Sequence, residues 1–349
     1  MSNAFRVGLT YDFLKPDGTF AFGDIGLNLL DDAPGVEWEV IRDNTRELRA
    51  EQVGDFDALL VLAPRVTAAT VEGNQRLAIV ARFGVGFDSV DVDACTRNGI
   101  LLTITPDGVR RPVASSAVTF VLAMSHKLLQ KDRLTRAGRW GDKADFMGTG
   151  LTGRVLGLIG LGNIGREIFT LIKPFGMRHV AYDPYVSAEA AQALDVTLLD
   201  LDSLLGVADF VCICCQLTPE TYHLMNAQRI ALMKPTAYLI NVARGPIVDQ
   251  TALTDALRNQ RIQGAALDVF EQEPVDPNDP ILTLENAIVT PHGICWTDEC
   301  FLGNGRSACE SILDVASGRT PRYVVNRAAL EHPRLQEKLM RFAQQHSIR

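Results

Sequence analysis

VLGLIGLGNIGRE, residues 155–167, is an apolar run closed by three glycines and continued by a segment of helical character. Gly160, Gly162 and Gly165 stand in G-x-G-x-x-G spacing. At a strand-to-helix junction the first glycine permits a tight turn and the second lets a pyrophosphate approach the backbone. The third lets the helix pack on the strand. The free N–H groups and dipole at the helix start favour phosphate charge. Alone the spacing is weak, because glycine turns are common. Here the next strand-like run, HVAYD, ends in Asp183, eighteen residues past Gly165. An acid at that place accepts hydrogen bonds from adenosine ribose hydroxyls and repels a 2′-phosphate, so the stretch predicts a dinucleotide site preferring NAD to NADP. The competing reading is a purely structural glycine turn.

Outward from this point the pattern is regular. VLGLIG, HVAYD, FVCICC, AYLINV, GAALDV and AIVTP are short runs, with segments such as REIFTLIKPF and ALTDALRNQ between several of them. That alternation predicts a doubly wound parallel sheet covered on both faces. The N-terminal third carries strands of its own: FRVGLT (5–10), VEWEVI (36–41), ALLVLA (58–63) and AIVARFGVGFDSVD (78–91), the last running into a glycine turn. YDFLKPDGTFAFGD, residues 11–24, reads as a loop. PVASSAVTFVLAMSHKLL, residues 112–129, predicts a helix whose first turn holds Pro112. ECFLGNGRSACESILDVASG, from residue 299, predicts a late helix that crosses back to complete the first domain.

The whole chain agrees. Its 349 residues exceed what one core usually serves, so two domains are expected. A net charge of −8 argues against nucleic acid or an anionic membrane surface as the main partner. No apolar run approaches the roughly 18 residues a membrane helix needs, and MSNAFRVGLTYDF has no signal-peptide core. Seven cysteines form no even framework, which fits a reducing compartment; the expectation is a cytoplasmic protein.

Three polar residues follow predicted strands in the glycine-loop unit. NVARGPIVD (241–249) places Arg244, ALDVFEQEP (266–274) places Asp268 and Glu273, and TPHGICW (290–296) places His292. Ligands of open α/β sheets gather outside the carboxyl ends of strands. Arginine, carboxylate and histidine there suit hydride transfer at a hydroxyl or carbonyl carbon. The arginine holds a carboxylate bidentately, the histidine exchanges a proton near neutral pH and the carboxylate orients the imidazole. Each has a plainer alternative: an interdomain salt bridge for Arg244, a loop carboxylate for Glu273, a structural histidine for His292. A zinc reading of His292 with Cys295 and Cys300 lacks a further ligand at usable spacing, so no metal is expected.

RFGVGFDSVDVDA, LTGRVLGLIGLGNIGRE, QLTPETYHLM, LINVARGPIVDQTAL, ALDVFEQEP and TPHGICWT follow one another in an order that resembles the D-2-hydroxyacid dehydrogenase family over nearly the whole chain. The resemblance implies a catalytic trio of Arg244, Glu273 and His292. It implies cofactor contacts at Gly160, Gly162, Asn163, Ile164, Gly165, Asp183, Pro184, Gln216, Thr218, Thr221, Val242, Ala243, Asp268 and His292, with Asp268 meeting the nicotinamide carboxamide. Substrate contacts are implied at Arg244, at the backbone N–H groups of Val85, Gly86 and Phe87, and at Trp296, a candidate pocket wall. The implied architecture is two Rossmann-like domains with the active site in a cleft between them. A flavodoxin-like substrate domain would cover 1–110 plus 298–349 and a doubly wound NAD domain 111–297, the family being usually dimeric.

Departures from the pattern carry information. Cys214, Cys215 and Gln216 stand where relatives carry His-x-Pro, and Ser115 replaces a common glutamate. Arg110 and Arg111 introduce charge before the long helix; facing the cleft they would suit a second anionic group, and on a hinge they would be solvated. Glu273 argues against the formate-dehydrogenase branch, which has glutamine there, and Val85 against the phosphite-oxidising branch, which has lysine. Tyr11, Phe13, Phe20 and Phe22 either line a pocket or cover their own core. Gly293 leaves space beside His292. The expected function is NAD-dependent interconversion of a small (2R)-hydroxy acid and its 2-keto acid by a homodimer; the alternative is an NAD-sensing binding protein on the same fold.

Overall fold

The computed structural model describes residues 4–347. The chain divides into two compact units, one of residues up to 109 with those from 296 onward, the other of residues 110–295.

Unit one holds β1 (Phe5–Leu9), β2 (Val36–Val40), β3 (Ala58–Val61), β4 (Ile79–Arg82) and β5 (Leu101–Thr103), all parallel in the order β2-β1-β3-β4-β5. This is the flavodoxin-like arrangement expected. β3 is buried along its length, whereas edge strand β2 alternates half-buried and exposed residues, as its VEWEV pattern requires. The helix Asp298–Ala316 contributes buried Phe301, Ala308, Cys309 and Ile312.

Unit two holds β6 (Val155–Ile159), β7 (Arg178–Tyr182), β8 (Thr197–Leu198), β9 (Phe210–Ile213), β10 (Tyr238–Asn241), β11 (Gly264–Leu267) and β12 (Ala287–Val289). Their order is β12-β11-β10-β9-β6-β7-β8, again parallel, with the reversal between β6 and β9. Burial on both faces follows the two-residue strand period. Val155, Ile159, Val211, Ile213 and Leu239 enter one apolar cluster. Leu156, Leu158, Phe210, Cys212 and Ile240, their neighbours in sequence, enter the other. FVCI is therefore a core strand, with Cys214 and Cys215 of the expected run half-buried in the loop after it, and burial pushes the Cys212 thiol up to about 12.

Two expectations fail locally. The long helix runs Pro106–Ser125, so Pro106 supplies the first turn and Pro112 lies inside the helix. The hydroxyls of Ser115 and Ser116 donate to the Pro112 carbonyl at 2.8 and 2.9 Å. The helix does not continue to 129, because Lys127 is left-handed (φ 49°) and a second helix, Leu128–Arg136, begins there. β5 and β8, at three and two residues, are too short to show a periodic signal in sequence. Among the described residues no single helix is long and apolar enough to cross a membrane.

Candidate active site

The glycines of the fingerprint meet three different demands. Gly160 is left-handed (φ 101°), and a Cβ there would lie 2.8 Å from the Cys215 nitrogen. Gly162 precedes the helix Asn163–Ile172, and nothing lies within 4 Å of where its Cβ would be. A Cβ on Gly165 would meet the Gly160 carbonyl at 2.6 Å, so only glycine lets the helix sit this close to the loop. The open side at Gly162 is the approach a pyrophosphate needs, with Asn163 and Ile164 in the first helical turn behind it. Asp183, at the end of β7, accepts the Leu161 N–H at 2.8 Å and the Tyr185 N–H at 2.9 Å. Its carboxylate is thus tied to the glycine loop, with lone pairs left for ribose hydroxyls. Pro184 follows it, exposed. These residues fit a dinucleotide.

Cys214 donates its thiol hydrogen to the Gly160 carbonyl at 3.0 Å. Burial holds this thiol well above its ordinary range, so it stays a protonated donor. Gln216, Thr218 and Thr221 form the next turn: the Thr221 hydroxyl accepts from the Thr218 N–H at 2.7 Å and donates to the Gln216 carbonyl at 2.7 Å.

The three chemistry-bearing loops follow β10, β11 and β12, neighbours in the sheet. After β10, Asn241 accepts the Ala243 N–H at 3.0 Å and donates to the Arg244 carbonyl at 2.9 Å, locking the loop that carries Val242, Ala243 and Arg244. Arg244 Nη1 donates to the Ala243 carbonyl at 2.7 Å. A Cβ on Gly245 would lie 1.8 Å from Phe270 backbone atoms, so this loop is pressed onto the one bearing Glu273. Glu273 Oε1 accepts the Phe270 N–H at 3.0 Å, and Oε2 accepts from His292 Nδ1 at 2.7 Å. Burial works to raise this carboxyl, but His292, the Phe270 N–H and the Arg244 charge prevail and hold it below its ordinary value. Ionised Glu273 accepts only, so Nδ1 carries the proton and Nε2 is the nitrogen that this pair leaves unused.

His292 itself is left-handed (φ 51°). Asp268, buried at the end of β11, secures that turn: its Oδ1 accepts from the Thr290 hydroxyl at 2.6 Å, the Gly293 N–H at 2.9 Å and the Ile294 N–H at 3.1 Å. Sequence reading had given Asp268 a cofactor contact alone; its hold on the histidine loop could have been suspected only from an acid ending the strand beside it. A second pair, His223 Nε2 with Glu271 Oε1, also escaped sequence reading. It links the loop after β9 to the loop that carries Glu273.

The remaining expected residues belong to unit one. Val85, Gly86 and Phe87 follow β4, and Trp296 packs edge-on against Phe22 and Phe301 at 5.2 and 5.4 Å. Phe13 is fully buried and Phe20 packs on Trp38, so these two cover their own domain. Arg110 and Arg111 are exposed and turned onto Glu167, at 3.6 and 2.9 Å. Among the described residues no group of three or more His, Cys, Asp or Glu is placed to hold a metal.

Comparison with known proteins agrees with this geometry. Residues 118–293 match the NAD-binding domain of the D-isomer specific 2-hydroxyacid dehydrogenases. A D-3-phosphoglycerate dehydrogenase of Methanocaldococcus jannaschii is 39% identical over 83% of this chain, which spans 55% of that protein. A glyoxylate reductase of Thermococcus gammatolerans is 37% identical, over 90% of this chain and 96% of its own. The crystal structure of a D-lactate dehydrogenase from Aquifex aeolicus, complexed with NAD and lactic acid, superposes with a TM-score of 0.80 at 25% identity, over 92% of this chain and 99% of that one. The chain spans about half the length of the phosphoglycerate dehydrogenases it matches and nearly all of the glyoxylate reductase. With the glycine loop, its acid and the strand order in place, the chain belongs to the D-isomer specific 2-hydroxyacid dehydrogenase family, and unit two is its NAD-binding domain.

Proposed function

We propose that this protein interconverts a small (2R)-hydroxy acid and its 2-keto acid, with Arg244, Glu273 and His292 as the catalytic trio. The observation that carries the reading is the Glu273–His292 pair at 2.7 Å, with the loop of Glu273 pressed against that of Arg244. Bound NAD or NADH supplies the acceptor or donor of the hydride. Arg244 holds the substrate carboxylate with the N–H groups of Val85, Gly86 and Phe87, and polarises the adjacent carbonyl. His292 Nε2 gives or takes the hydroxyl proton, and Glu273 stabilises the imidazolium required for reduction. Gly160, Gly162, Asn163, Ile164, Gly165, Asp183, Pro184, Gln216, Thr218, Thr221, Val242, Ala243 and Asp268 form the cofactor surface in this reading, with Trp296 a wall for substrate.

A panel of 2-keto acids, glyoxylate included, read by loss of NADH absorbance tests the proposal. His292→Ala should lose ~10²–10⁴-fold in turnover while NADH binding persists. Near-normal turnover by His292→Ala would overturn the assignment. Absence of turnover across the panel would favour the NAD-sensing alternative.

The same reading includes a cytoplasmic homodimer joined through unit two. Leu128, Leu129, Trp140 and Met147 support it, large apolar side chains exposed by 36–74% within one twenty-residue stretch. Seven free cysteines support the reducing compartment.

A further inference from the structure

Unit two is an NAD-binding domain, and its glycine loop answers the charge of a pyrophosphate only in part. A dinucleotide carries one negative charge on each phosphate. The end of a helix offers about half a positive charge against them. The two residues after Gly162, Asn163 and Ile164, are neutral, and from Gly160 to Glu167 the single basic residue is Arg166.

Arg166 is the fourth residue of the helix Asn163–Ile172. Gly165, Ile168, Phe169 and Ile172 of that helix are buried, while Arg166 is exposed. Residues three apart share a helix face, so Arg166 lies behind Asn163. Helical side chains lean toward the N-terminus, and this one reaches back to the loop itself. Its Nε donates to the carbonyl of Leu161, the residue between Gly160 and Gly162, at 3.1 Å. That bond uses one of five guanidinium N–H groups and leaves the two terminal nitrogens beside the loop. Among the described residues no carboxylate lies within ion-pair distance of Arg166.

The acids that could have balanced it are engaged. Glu167, next in the chain, takes Arg110 and Arg111 at 3.6 and 2.9 Å. Asp183 accepts the N–H groups of Leu161 and Tyr185. Leu161 is therefore held twice, its N–H by Asp183 and its carbonyl by Arg166. A glutamine would hold that carbonyl as well, so the loop contact gives no reason for the charge.

We propose that Arg166 is a further cofactor-binding residue: its guanidinium, anchored on the Leu161 carbonyl, donates to the pyrophosphate of NAD. Guanidinium and phosphate are suited to such paired hydrogen bonds. The inference rests on the NAD-binding domain alone and holds whichever acid the protein turns over.

The test reads binding, not turnover. NADH is titrated by its fluorescence against the wild type and Arg166→Gln, with ADP and adenosine as displacing ligands. The glutamine keeps a donor for the Leu161 carbonyl and removes the charge. Its Kd for NADH and ADP should rise roughly 5–30-fold, the worth of a charge-assisted hydrogen bond discounted for solvent screening. Adenosine, which has no phosphate, should bind unchanged. The ratio of ADP to adenosine affinity on one preparation cancels any loss of folded protein. Raising KCl from about 0.05 to about 0.5 M should narrow the gap between wild type and variant, since an exposed charge is screened. An ADP affinity unchanged in Arg166→Gln overturns the proposal. So does an equal loss for ADP and adenosine, which would make Arg166 a strut of the loop. A loss that salt leaves undiminished overturns it too.

Discussion

Replacing Glu273 by glutamine keeps the side chain's size and removes its charge. Oε1 accepts the Phe270 N–H at 3.0 Å, so the new amide would keep its oxygen there and turn its NH₂ toward His292 Nδ1, 2.7 Å away. Nδ1 must then accept rather than donate, which suits neutral imidazole and opposes imidazolium. A charge-assisted hydrogen bond is worth about 1.5–3 kcal/mol. The side chains here are 44% and 37% exposed, so solvent screening cuts this to about 1–2 kcal/mol. Keto-acid reduction, which uses the imidazolium, should fall roughly 5–30-fold at neutral pH. The assay is the pH profile of kcat/KM for NADH-driven reduction, beside the profile for hydroxy-acid oxidation, which uses neutral imidazole and should lose less. A fall that is equal at every pH, or equal in both directions, would refute the electrostatic role of Glu273. Because this carboxyl lies below its ordinary value of 4.5, the pair contributes stability above that pH. It loses that contribution as pH falls through the lowered folded-state value, so reduction should have no carboxylate limb near neutrality.

Other outcomes follow from the same contacts. Gly245→Ala places a methyl 1.8 Å from the Phe270 backbone, and calorimetry should show a loss of about 3 kcal/mol or more, roughly 6–12 °C in Tm; an unchanged Tm would mean the two loops are not pressed together. Asp183→Ser removes the charge that opposes a 2′-phosphate, and the NADPH-to-NADH ratio of kcat/KM should rise about tenfold or more. His223→Ala cuts the bond to Glu271 and should raise the NADH KM about 2–5-fold with a smaller change in kcat, as the worth of a half-exposed pair implies.

Much of the architecture was legible because it depends on local rules. Apolar runs at parallel-sheet spacing, glycines where a Cβ would collide and an acid ending β7 are all properties of short segments. The early start of the long helix was not legible, because Pro106 and Pro112 offer the same signal and only the path of the backbone chooses between them. Arg110 and Arg111 were open for a related reason: their partner, Glu167, lies on a different helix.

The sequence by itself determined the class of fold and the NAD fingerprint and singled out Arg244, Glu273 and His292 as candidates, because each is written in a contiguous motif. Only the tertiary structure decided what those residues touch. It pairs Glu273 with His292 across nineteen positions, makes Asp268 the clamp of the histidine turn and lets Cys214 hold Gly160. These contacts join the ends of different strands, and their partners are set by strand order and register, which no single segment encodes.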